Sequence, residues 1–156
     1  MNADIIAFIE GGVSIVVSSR SAALEPSVAR GSGCRVDAER QRLRIFCSQR
    51  AAAQVIADLS RGAPIAATFS RPTTHRSLQL KAPRAALSTL EPDDWSALER
   101  CCDAFALDVA QHGHSAQFVK TVLGLDAEDA IGIELWPDEA FEQTPGRHAG
   151  DHLPVR

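Results

Sequence analysis

PIAATFSRPTTHRSLQLKAPRAALSTL, residues 64–90, decides how this chain is read. Its first half, Ile65 to Phe69, is short and mostly apolar with β-branched members. Its second half alternates, Leu78 and Leu80 on one side and Ser77, Gln79 and Lys81 on the other. Period-2 alternation predicts a half-buried strand. The Pro and Thr residues between the halves, around Ser70-Arg71-Pro72-Thr73, predict a hairpin. The polar face then carries Arg76, Ser77, Gln79 and Lys81, a row of hydrogen-bond donors or simply a solvated surface.

Working outward, the N-terminal side supplies three more predicted strands. Asp4 to Glu10 reads as a short helix with Ile5, Ile6 and Ile9 on one face, capped by Asn2 or Asp4 and ended by Gly11-Gly12. Val13 to Ser19 is a β-branched run and the first strand. The second runs from about Glu25 to Val36, interrupted at Gly31-Ser32-Gly33, where a bulge or close backbone approach is expected. The third is Leu43 to Cys47. Arg50 to Arg61 has an apolar stripe of Ala51, Val55, Ile56 and Leu59 and predicts a helix ended by Gly62.

On the C-terminal side the hairpin's second strand is expected to reach Leu87 with a break at Pro83. Glu91-Pro92-Asp93-Asp94 is a helix start, and Leu98, Cys101, Cys102 and Phe105 follow at helical spacing to about Gln111. Ser115 is placed to cap a further helix, Ala116 to Leu123. Ile131, Ile133 and Leu135 alternate and give the sixth strand. The expected organisation is one domain over residues 1–141, with 142–156 a loose or partner-held tail.

The totals exclude several classes. At 156 residues the chain can bury a core without staples, and 45% hydrophobic with 23% charged residues is globular composition. A net charge of −4 argues against nucleic-acid binding as the main task. Val13–Val17 is far too short to span a bilayer, and the start MNADIIAFIEGG lacks a basic leader segment, so a cytoplasmic protein is expected. The four cysteines show no CxxC spacing and are expected as reduced thiols. Cys101 and Cys102 point to different faces of their helix and should not bridge each other. His112-Gly113-His114 reads as a polar helix end, since two histidines without a third ligand do not make a metal site.

The order of apolar strand, Phe69, Pro/Thr loop, Arg76, alternating strand and Lys81 resembles the central hairpin of the pyridoxamine 5'-phosphate oxidase family. That resemblance implies an α+β fold, mainly β with helices: a six-stranded FMN-binding split β-barrel. It covers roughly Phe8 to Leu90. It implies cofactor contacts from Val28, Arg30, Cys47, Ser48, Gln49, Arg50, Arg76 and Ser77. Arg30 falls where the family has Lys, Arg50 matches the family's Arg, and Arg76-Ser77 stands for its Arg-Gln pair. Two positions depart: Glu25 lies near the family's Arg, and Ala51 replaces its Lys. A helix opening at Arg50 would offer free N–H groups and a positive dipole end to a phosphate. Gln143-Thr144-Pro145-Gly146 is similar to a C-terminal stretch of some flavin-binding relatives.

The resemblance implies an FMN-dependent oxidoreductase working as a homodimer with ligand sites at the interface. The alternative is a non-enzymatic flavin or small-ligand binding dimer on the same fold, favoured by Glu25 and Ala51. Pyridoxamine 5'-phosphate oxidase activity itself is the weakest reading, because Arg147-His148 only partly echoes the substrate-binding Arg-x-His. No residue can be named as a catalytic acid, base or nucleophile.

Overall fold

In the computed structural model, which describes residues 1–155, the hairpin forms as the alternation requires. Strand β5 (Ile65–Ser70) pairs antiparallel with β6 (Ser77–Ala82), Ser70 opposite Ser77 and Phe69 opposite Leu78. Leu78 and Leu80 are buried while Ser77, Gln79 and Lys81 face outward. Arg76 ends the loop and is not on the strand face.

Around this pair lie β1 (Ser14–Arg20), β2 (Pro26–Gly31), β9 (Glu139–Glu142) and β10 (His152–Leu153). Together they form one sheet in the order β10-β9-β6-β5-β1-β2. A second sheet, β3-β4-β8-β7, comprises β3 (Gly33–Asp37), β4 (Arg42–Ser48), β7 (Ala85–Ser88) and β8 (Ala130–Leu135). Among the described residues there are four α-helices: α1 (Ala3–Ile9), α2 (Ala53–Ser60), α3 (Pro92–Val109) and α4 (Ala116–Leu123). The class is mixed α+β with two antiparallel sheets. The expected six strands are corrected to ten among the described residues, and neither sheet closes on itself.

The correction has a local cause. The single strand read from Glu25 to Val36 begins at Pro26 and breaks at Ser32, so β2 lies in one sheet and β3 in the other. The backbone N–H of Ser32 donates to the carbonyl of Phe46 (2.7 Å) at this corner. A Cβ on Gly31 would come within 2.8 Å of Ile45 Cγ2 and 2.9 Å of Ile15 Cγ2, so glycine is what lets the two sheets meet there. Pro83-Arg84 does the same between β6 and β7. Strands that switch sheets at bends are how packed sheets build their corners.

The main core fills the space between the sheets with Val17, Leu43, Ile45, Phe69, Leu80, Ile133 and Leu135. A second cluster lies on the other side of β4, where Phe46 packs with Leu98, Cys102 and Val109 of α3 and Val119 and Leu123 of α4. Residues 43–47 are therefore buried on both faces. The chain ends meet: the Asn2 N–H donates to the Val155 carbonyl (3.1 Å), and β10 pairs with β9. Among the described residues no helix is long and apolar enough to cross a membrane.

Gly12 fixes how α3 sits. Its φ is +74°, and an added Cβ would lie 2.4 Å from the Ala104 carbonyl carbon and 2.5 Å from the Phe105 nitrogen. Backbone cannot step aside as a side chain can. Gly12→Ala is expected to cost at least about 1–3 kcal/mol from its left-handed conformation alone. The urea midpoint measures it, and an unchanged midpoint would show that α3 shifts freely.

Candidate functional site

The residues expected to form one site lie in three places. Ser48 ends β4, and Gln49 and Arg50 follow in a turn and not in a helix, since α2 begins only at Ala53. That turn already holds an anion: the side chain of Asp129. Its carboxylate accepts from the Ser48 hydroxyl and the Arg50 backbone N–H (3.0 Å), and it pairs with Arg50 Nε at 3.1 Å. The Gln49 N–H donates to the Asp129 carbonyl (2.6 Å). Arg50 Nη2 also lies 3.8 Å from Asp126. The Ser48 hydroxyl, with the Arg50 donors, holds the Asp129 carboxyl below the usual carboxylate range. The donors that an FMN phosphate needs at this turn are therefore engaged, and a phosphate does not fit there beside Asp129. Cys47 is fully buried between the sheets, and burial pushes its thiol up to about 12.

Arg76 and Ser77 form a second place, against the C-terminal segment. The Arg76 guanidinium lies over the Phe8 ring, 4.4 Å from its centroid. The Ser77 N–H donates to Thr144 Oγ1 (2.9 Å), and the Gln143 N–H returns to the Ser77 carbonyl (2.9 Å). Ser77 Oγ donates to Ser70 Oγ (2.7 Å). The Gln-Thr-Pro-Gly stretch singled out in the sequence thus lies beside Arg76-Ser77. Its Thr144, Pro145 and Gly146 line a groove of about 560 Å³ together with Arg76, Arg147 and His148.

Arg30 and Val28 occupy the third place, on the outward face of β2. Arg30 lies opposite Val16 in the β1–β2 register, and Val28 opposite Ser18. Val16 and Val28 are exposed, at 36% and 63%. Arg30 lines a cleft of about 380 Å³ with Phe105, Val109, His112, His114, Phe118 and Val122. Among the described residues its side chain has no ion pair or hydrogen-bond partner. The local sequence explains the cleft. Gly113, at φ +83°, ends the turn after α3, and the Ser115 hydroxyl accepts from the Phe118 N–H (3.1 Å) to start α4. α4 then buries Val119 and Leu123 and leaves Phe118 and Val122 half exposed beside them. His114 stacks on Phe118 with centroids 5.3 Å apart.

Such a cleft, mostly apolar with a few converging polar groups, is how small-molecule sites are usually built. Sequence reasoning named Arg30 but missed His112, His114 and Phe118 as its neighbours. The available signal was the width of the α4 stripe, four apolar residues at 118, 119, 122 and 123. Among the described residues no cluster of three or more metal-ligating side chains occurs.

Comparison with solved structures settles the fold. A candidate pyridoxamine 5'-phosphate oxidase from Lactobacillus delbrueckii superposes with a TM-score of 0.56 at 13% identity, covering 90% of this chain and 93% of that one. The chain has the pyridoxamine 5'-phosphate oxidase-like fold. HupZ of Group A Streptococcus shares the pyridoxamine 5'-phosphate oxidase-like fold with it at TM-score 0.55 and 13% identity, over 96% of this chain and 100% of that one. General stress protein 26 of Bacillus anthracis follows at TM-score 0.52 and 12% identity, over 86% and 87%. No protein-family profile matches the sequence, and no curated protein matches it. Identity this low speaks for the pyridoxamine 5'-phosphate oxidase-like architecture, and the chemistry must be argued from the residues.

Proposed function

We propose that this chain binds a flavin-type ligand, FMN or a relative with an aromatic ring system and an anionic group, in the cleft beneath α4. The observation that carries this is Arg30: an arginine with no partner among the described residues, at the edge of an apolar cleft, on a fold shared with a candidate pyridoxamine 5'-phosphate oxidase. Phe105, Val109, Phe118 and Val122 would pack on the ring, and Arg30 would face the anion. A bound flavin would supply electron transfer, and the protein would supply the pocket. No side chain in the cleft is assigned a proton-transfer role, so the reading stops at binding and leaves substrate chemistry to the ligand.

A homodimer belongs to the same proposal. Val16, Val28, Phe118 and Val122 are exposed. The first two flank Arg30 on the sheet and the last two line its cleft. A second copy laid on this face would cover them and enclose the ligand. The test is a fluorescence titration of the purified chain with FMN and riboflavin, together with light scattering. Quenching that saturates at micromolar flavin and a dimer mass are expected. A monomer that leaves flavin fluorescence unchanged overturns both parts.

A further inference from the structure

Two of the four cysteines are neighbours in space although 67 positions apart in sequence. Cys34 lies on β3 and Cys101 on α3, and both are buried, at 1% and 7% exposed. Cys101 Sγ lies 3.5 Å from the Cys34 carbonyl oxygen, and Cys34 Sγ 3.3 Å from the Ile9 carbonyl oxygen. The Cys101 side chain thus reaches the backbone of Cys34, and the two thiols influence each other's titration. The closeness is built in. A Cβ on Gly33 would come 3.1 Å from Cys101 Cβ and 3.2 Å from Leu98 Cδ1, so the bare backbone at 33 is what lets α3 lie so near β3. A disulfide needs Cα atoms within about 7 Å, which this approach serves.

We propose that Cys34 and Cys101 are a redox pair that closes to an intrachain disulfide when the protein meets hydrogen peroxide or a small organic peroxide. Cys101 acts first. The hydrogen bond from Cys34 outweighs burial and brings its thiol down to about 7, whereas Cys34 stands well above the ordinary thiol value. The Cys101 thiolate attacks one peroxide oxygen. The O–O bond breaks, leaving Cys101 as a sulfenic acid and releasing hydroxide, or alkoxide from an organic peroxide. Cys34 sulfur then attacks the sulfenic sulfur, the S–S bond forms, the S–O bond breaks, and water leaves with the Cys34 proton. Two thiols lose two electrons, and one peroxide is reduced.

The other two cysteines are not in the reaction. Cys47 is fully buried with its thiol near 12, and burial pushes Cys102 up to about 11. Cys102 packs in the cluster formed with Phe46, Val119 and Leu123. The bridge would pin the stripe Cys101, Phe105, Val109 to β3. It would also close a long loop of the unfolded chain, which favours the folded state.

The experiment treats the full chain with hydrogen peroxide, quenches, unfolds it in an alkylating agent and counts thiols, then maps the cross-linked peptide by mass spectrometry. Loss of two of the four thiols in a Cys34–Cys101 peptide, restored by dithiothreitol, is expected. Cys34→Ser should stop at a Cys101 sulfenic acid that a dimedone probe captures, and Cys101→Ser should keep all its thiols. The bridged protein should melt at roughly 5–10 °C above the reduced form. Four intact thiols in the wild type, a bridge joining any other cysteines, or a lower melting temperature would overturn the proposal.

Discussion

Asp94→Ala should lower the stability of the chain by about 3–5 kcal/mol, the size expected when one member of a buried ion network is removed. Asp94 is fully buried at the start of α3 and is held by three groups. It accepts from the Glu91 N–H (2.9 Å) and from Arg35 Nε (2.8 Å), and it forms an ion pair with Arg44 Nη1 at 2.6 Å. Arg44 is itself only 2% exposed, and its remaining contacts are Ser88 Oγ (2.9 Å), the Thr89 carbonyl (2.8 Å), Glu91 (3.2 Å) and Glu134 (3.4 Å). Without Asp94, the Arg44 guanidinium remains buried with its shortest carboxylate contact gone, and the capping box of α3 loses its bond from the Glu91 N–H. The melting temperature should fall by roughly 6–20 °C. Asp94→Asn keeps an acceptor for the cap and loses only the charge, so it should fall between wild type and alanine. A loss under about 1 kcal/mol for alanine would mean that Arg44 finds solvent.

The same network sets an acid limit. Burial pushes the Glu134 carboxyl up, but the Ser88 hydroxyl, Arg44 and Arg42 outweigh it and hold the carboxyl below its ordinary range. A group depressed on folding contributes its full stability above the unfolded value, about 4.3 for glutamate. That contribution is lost as pH falls through the lower folded value. Asp129, held down by Ser48, adds to the same slope.

How much of this was legible follows from how far each cause lies along the chain. The hairpin was legible because Leu78 and Leu80 alternate with Ser77, Gln79 and Lys81 within one short run. The α3–α4 junction was legible for the same reason, Gly113 and Ser115 being local stop and start signals. The breaks at Gly31-Ser32-Gly33 and Pro83 were visible, but not that the pieces on either side join different sheets. That choice is made by packing against Ile15 and Ile45, which no local pattern encodes. Strand β9 was missed because it has only four residues. The turn at Arg50 was read as a helix start open to phosphate because its partner, Asp129, lies 79 positions further on. Arg44 sat unremarked in an apolar strand, since what makes it tolerable is an aspartate on a helix that begins 48 residues later.

Arg30→Ala should weaken FMN binding by about 10- to 100-fold, and Arg50→Ala by less than about threefold. The first figure is what a charge-assisted hydrogen bond contributes, about 1.5–3 kcal/mol, at 1.4 kcal/mol for each tenfold. The asymmetry comes from what each arginine already holds. Arg50 is paired with Asp129 and Asp126, so a ligand phosphate arriving there meets two carboxylates and donors already in use. Arg30 has no such partner among the described residues and borders an apolar cleft that a flavin ring would shield from water. Riboflavin separates ring from phosphate. If Arg30 meets the phosphate, Arg30→Ala leaves riboflavin affinity unchanged and abolishes the preference for FMN. Equal losses for both ligands would place Arg30 against the ring. A large loss for Arg50→Ala would mean that Asp129 gives way to the ligand. In that case Asp129→Asn, which removes the competing charge but keeps an oxygen acceptor for Ser48, should bind FMN more tightly than wild type. If instead Asp129 only ties the β4 turn to residues 126–129, the same substitution leaves FMN affinity where it was and lowers the urea midpoint.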